Sequence, residues 1–141
     1  MATVVHTDFL DGALGNPTHT TVDFNADTIY CALIDETDVG TTILASFVDY
    51  AEVSTGTPVA QDQTATVSTV TGGVVTLSGA VTFSTVSGDA ADYLVVYKNG
   101  TTDADSPLII TYDSATSGLP VTPNGGDITA TWGSNQLITF A

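Results

Sequence analysis

Few side chains in this 141-residue sequence can do chemistry, and their spacing limits what that chemistry could be. Asp103 and Asp105 stand in a loop running from Gly100 to Pro107, where two carboxylates and neighbouring carbonyls are the oxygen donors that Ca²⁺ prefers. No EF-hand loop with its terminal Glu follows them, so a pair of solvated turn carboxylates is the competing reading. Asp35, Glu36 and Asp38 make a second acidic turn with the same ambiguity. His6, His19 and Cys31 lie on three separate segments that would have to converge to hold a transition metal. Neither histidine stands in a nucleophile motif with a Ser or with Cys31. No glycine-rich phosphate loop with its lysine is present. The residues therefore predict no catalytic, cofactor or metal site, with Asp103 and Asp105 as weak Ca²⁺ candidates.

Charge narrows the field further. The chain carries one Lys, no Arg and sixteen Asp plus Glu, a formal net charge of −15. Nucleic-acid binding and attachment to anionic membranes both need the cations that are missing here. Lys98 either anchors an acidic partner or blunts a hairpin edge. The acidity is not that of a disordered chain, because 43% of the residues are hydrophobic. Twenty-six Thr, many alternating with Val, Ile or Ala, point to strands whose wet face is covered by hydroxyls. No apolar stretch is long enough to span a membrane, and the first residues lack an export signal, so a cytoplasmic origin is expected.

The elements that would position these groups are mostly strands. His6, Phe9, Leu10, Ala13 and Leu14 recur at helical spacing within residues 5–14, and a second helix is expected over 42–50 on a stripe of Ile43, Leu44, Phe47 and Val48. The run 28–34 has no polar alternation and should be a central strand covered on both faces, with Cys31 as a buried, inert thiol. From Thr64 the pattern has period two: Val67, Val75, Leu77, Val81 and Phe83 point inward, with Gly72-Gly73 and Ser78-Gly79 as turns. Residues 93–97 make a second buried strand, followed by a turn signal at Asn99-Gly100 and a pairing strand over 108–112. Ile128, Ala130 and Trp132 alternate inward, and 137–140 form a last strand. The expectation is a mainly β, single-domain β-sandwich over 1–141, with about seven to nine short strands and one or two short helices near the N-terminus. Its core should include Ile29, Cys31, Leu33, Leu94, Val96, Ile109, Ile128 and Trp132.

Five segments carry a resemblance: Asp27-Thr-Ile-Tyr-Cys-Ala-Leu-Ile-Asp35, Phe47-Val-Asp-Tyr-Ala-Glu-Val53, Gly88-Asp-Ala-Ala-Asp-Tyr-Leu-Val-Val-Tyr-Lys98, Ser106-Pro-Leu-Ile-Ile-Thr-Tyr-Asp113, and the stretch from Gly118 to Trp132. Their order and spacing, which span nearly the whole chain, resemble small structural proteins of tailed bacteriophages, in particular capsid decoration or cement proteins. The resemblance implies a non-enzymatic virion protein on the outer capsid surface that stabilises contacts between major capsid subunits. It also implies a homo-oligomer, with a trimer expected, and docking through the 1–20 segment with Phe9, Leu10 and Leu14 as contacts. The same three residues could instead close the core. A tail, neck or fibre component of the same virion, or a carbohydrate- or Ca²⁺-dependent adhesion module, is the alternative.

Fifteen net negative charges repel within and between copies. Stability and self-association should therefore improve with added salt, and with mild acid, as the Debye length shortens from roughly 30 Å at low salt to about 10 Å at 0.1 M. Melting temperature and sedimentation across a NaCl series check this; a steady fall with salt would show that attractive pairs outweigh the repulsion.

Overall fold

Two strands, apolar on both faces, form the middle of the molecule. The computed structural model describes residues 3–19, 21–113 and 118–140. The chain opens with strand β1 (Val4–Val5) and helix α1 (Thr7–Ala13), followed by strand β2 (Ile29–Ile34), helix α2 (Glu36–Val39) and strand β3 (Ala60–Thr64). Next come the hairpin strands β4 (Val67–Thr71) and β5 (Val74–Leu77), then β6 (Val81–Phe83), β7 (Tyr93–Lys98) and β8 (Leu108–Tyr112). Strands β9 (Ile128–Ala130) and β10 (Gln136–Thr139) complete the fold. The strands build a five-stranded antiparallel sheet in the order β1-β8-β7-β2-β3, a three-stranded sheet β10-β5-β4 and a two-stranded sheet β6-β9.

Alternation then sorts the side chains into two layers. Ile29, Cys31 and Leu33 of β2 and Leu94 and Val96 of β7 point to one face. There they meet Val75 and Leu77, Val81 and Phe83, and Leu137 and Ile138 from the two smaller sheets. Ala32, Ile34, Tyr93, Val95 and Tyr97 point to the opposite face, where Ile43, Tyr50 and Val53 cover them. The register Cys31↔Val96 and Ala32↔Val95 keeps both layers aligned across the central pair. A slip by one residue would exchange the two layers. The β4–β5 turn is the two-residue Gly72-Gly73, with φ of 60° and 80°, a left-handed geometry that other residues adopt at a cost.

The mainly β architecture and the central 28–34 strand match expectation. Several details differ. The ten strands among the described residues exceed the expected count. Val5, expected to begin the first helix, instead belongs to β1 and pairs with β8 at Val5↔Ile110. Strand β3 gave no apolar alternation because it is an edge strand whose sequence is Ala-Gln-Asp-Gln-Thr. The helix expected over 42–50 is absent; α2 precedes that segment and a 3-10 turn at Tyr50–Glu52 ends it. The segment bonds outward instead: Ala45, whose carbonyl a helix would use, accepts from the Thr7 N–H, while Phe47 accepts from His6 Nδ1 and Val48 from the Leu108 N–H. Only Ile43 of the four stripe residues is buried, and Leu44 is exposed. Nor is Asn99-Gly100 a two-residue hairpin turn. It opens a longer loop with a 3-10 turn at Asp103–Asp105, closed by the Gly100 N–H on Ser106 Oγ and by Ser106 Oγ on the Thr102 carbonyl.

Six of the expected core residues are buried, whereas Ile128 and Trp132 are half-buried and pack against the core's margin. Truncating Leu94 to Ala should cost about 2–5 kcal/mol in urea unfolding. A loss below about 0.5 kcal/mol, the usual range of surface changes, would contradict its place in the core.

Candidate functional site

The half-buried pair at the margin opens an apolar groove of ≈ 380 Å³. Its floor is Leu33 of β2 and Leu94 of β7, and one wall is Leu119 and Val121. At its end Trp132 Nε1 donates to Tyr112 Oη at 2.9 Å, and Tyr112 Oη donates to the Leu137 carbonyl at 3.1 Å. The two rings meet edge to face, with centroids 6.2 Å apart. Burial pushes the Tyr112 hydroxyl up to about 12, and the indole bond pulls against that rise, so the hydroxyl stays neutral. The opposite wall is the continuous run from Ile128 to Gly133. No Asp, Glu, His or Lys lines this groove.

A second recess, ≈ 310 Å³, is polar and lies between Tyr30, Tyr97, Asp62 and the 99–103 loop. Tyr97 stacks on Tyr50 with ring centroids 4.0 Å apart, and donates from its hydroxyl to Asp62 Oδ1 at 2.8 Å. Burial, followed by that bond to an anion, raises the Tyr97 hydroxyl. Asp62 holds a left-handed backbone at φ 58°. The Ca²⁺ candidates serve this loop through hydroxyls: Ser54 Oγ donates to Asp103 Oδ2, while Thr101 and Thr102 both donate to Asp105 Oδ2. The other acidic turn works similarly, since Asp35 accepts from the Thr37 N–H and so caps α2. Among the described residues, no three His, Cys, Asp or Glu side chains gather in a way that could hold a metal ion.

The remaining candidates are dispersed. Phe9 is buried, Leu10 is half-buried against the core, and Leu14 is exposed at 84%. Helix α1 thus gives Phe9 to the core and leaves Leu14 outside. Met1, Ala2 and Thr20 of the 1–20 segment lie outside the described residues. Cys31 is buried, and burial pushes its thiol up to about 12. Lys98 is tied within its own chain, with Nζ 3.0 Å from Asp27 Oδ2 and 3.4 Å from the Thr21 carbonyl. His19 turns towards Asp8.

His6 had no visible role in the sequence. It is fully buried, and Nδ1 meets the Phe47 carbonyl at 3.0 Å while Nε2 meets Thr111 Oγ1 at 2.8 Å. A carbonyl only accepts, so Nδ1 carries the proton and Nε2 accepts from Thr111. The ring therefore joins the 42–49 cover to strand β8. Its signal in sequence is slight: one of three polar residues, His6, Thr7 and Asp8, between Val5 and Phe9.

No family model matches the chain, and no curated protein matches it. No helix among the described residues is long and apolar enough to cross a membrane.

Burial holds His6 below its ordinary 6.5, with the Phe47 bond and the Glu52 charge pulling upward. The unfolded chain therefore takes up a proton first. Stability present above about pH 6.5 is lost as pH falls through that value, which opposes the benefit expected from mild acid. Asp49 has the other sign. Partial burial, then Glu52, Asp8 and Asp105, raise it, so its contribution is present at low pH and is lost as pH rises through its raised value. Urea unfolding from pH 7 to 5 should show wild type losing stability relative to His6→Gln, at up to about 1.4 kcal/mol per pH unit. Parallel profiles would show that His6 does not titrate in this range.

Proposed function

We propose that this chain is a non-enzymatic structural component of a tailed-phage virion. In this reading it sits in many copies on the outer capsid surface as a small homo-oligomer, a trimer, and stabilises contacts between major capsid subunits. The resemblance, which spans nearly the whole chain, supports this. So does the contrast between a carboxylate-coated β body of net charge −15 and one groove without an ionisable carboxylate, the observation that carries the reading. A shell under pressure gains from proteins that bind only its assembled form, because such binding draws the equilibrium towards the assembled state. The binder needs a rigid body, an adhesive uncharged region and a surface that repels nucleic acid and other particles. No catalytic group and no nucleic-acid or membrane contact is required, and the runner-up is a tail, neck or fibre component.

Particles stripped of the protein should release DNA at a lower temperature than intact ones, and adding the protein back should restore the difference. Gel quantification should give a fixed ratio to the major capsid protein, as capsid symmetry requires. A few copies confined to the tail would replace the decoration reading with the runner-up.

A further inference from the structure

The wall of the apolar groove formed by β9 has an open sheet edge. Among the described residues, β9 pairs only with β6, through Val81↔Ala130, Thr82↔Thr129 and Phe83↔Ile128. In an antiparallel pair alternate residues turn their N–H and C=O away from the partner, so one side of β9 presents backbone donors and acceptors with no strand among the described residues to meet them. The groove runs alongside β9. All three residues of β9, Ile128, Thr129 and Ala130, line it, and a strand that showed only one pleated face would contribute every second residue. Thr129 makes the point directly. Its hydroxyl lies 3.2 Å from that of Thr82 on the outer face, so Thr129 meets the groove through its main chain.

We propose that the groove takes an extended, apolar, acid-free peptide segment of a partner protein, added as a strand to β9. Its inward side chains would sit on Leu33 and Leu94 beside the Trp132 ring. Three features select this occupant. An unpaired strand edge offers main-chain hydrogen bonds that only another extended backbone satisfies along its length. The volume of ≈ 380 Å³ suits a few aliphatic side chains rather than a folded surface. The lining has no cation to pair with a carboxylate, and the surrounding charge of −15 repels one, so the segment is neutral or basic. The polar atoms at the groove's end are already paired with each other through Trp132, Tyr112 and Leu137, which leaves apolar contact and the β9 backbone as the means of recognition. The inference goes beyond the virion reading, since it specifies how any partner is gripped.

The test uses the full chain and a displayed library of random linear peptides. Trp132 is the only tryptophan, so its emission reports occupancy of this groove alone. Selection should enrich peptides with alternating apolar residues and without Asp or Glu, and these should shift Trp132 emission. N-methylating alternate peptide backbones, which keeps every side chain, should weaken binding about tenfold or more, the loss of one or two hydrogen bonds. Thr131→Lys, at an exposed position of the groove lining just past β9, should weaken binding of a neutral peptide while leaving the melting temperature unchanged. Absence of enrichment, binding that leaves Trp132 emission unmoved, or indifference to N-methylation would overturn the proposal. So would a concentration-dependent dimer abolished by Thr131→Lys, which would make a second copy the occupant. None of these outcomes depends on where the protein resides in a particle, so the virion reading fails or stands separately.

Discussion

The pairing of β2 with β7 sets the terms for the rest of the molecule. Both strands are apolar on both faces, so neither face of the sheet they form can meet water. A chain of this length must then supply two covers. The smaller sheets cover one face; β4 and β5 form a local hairpin, whereas β10 and β9 return from the far end of the chain to pair with β5 and β6. The other face is covered by residues 43–53, which carry little regular structure and are held by bonds from distant elements. His6 is part of that attachment, as are the Thr7 and Leu108 amides. The order of the chain follows: β1 and α1 reach β8 early so that His6 can meet both Thr111 and Phe47.

What could be read from the sequence divides along the same line. Strands β2, β7 and β8 and the Gly72-Gly73 hairpin were legible because their signals are local: apolar runs, period two, and a pair of glycines. The 42–50 segment was not, because a helical stripe over a few residues cannot reveal that its carbonyls are already engaged by Thr7, His6 and Leu108. Strand β3 escaped because an edge strand with solvated sides needs no apolar alternation. Ile128 and Trp132 show the right period, yet period cannot distinguish a core centre from its margin. The groove they border was illegible for that reason. The open edge of β9 depends on which strand lies beside it, and no single segment encodes that.

The acidic groups raise a different question, namely how a chain with one cation tolerates sixteen anions. Much of the answer is in the turns. Asp27 accepts from the Asp23 N–H, Asp92 from Glu36, Glu52 from Asp49 and Asp127 from Thr85, whose backbone is left-handed at φ 52°. Main-chain amides thus supply the hydrogen-bond donors that Lys and Arg supply elsewhere. Dispersed over separate turns, these carboxylates gain local partners, whereas Asp49 stands close enough to Glu52, Asp8 and Asp105 to feel their charge. Lys98 adds the one lysine–carboxylate pair to this arrangement, and an exposed or half-exposed pair of that kind contributes little.

Cys31 gives the molecule an internal clock. Its thiol lies on β2, hydrogen-bonded on both sides through β3 and β7, and burial holds it protonated. Fraying of the edge strand β3 would free one flank of β2, but β7 and the core cluster around Cys31 would still enclose the thiol. A thiol reagent in solution would therefore react only when that enclosure opens. With no second cysteine in the chain, each labelling event would count one opening that uncovers β2.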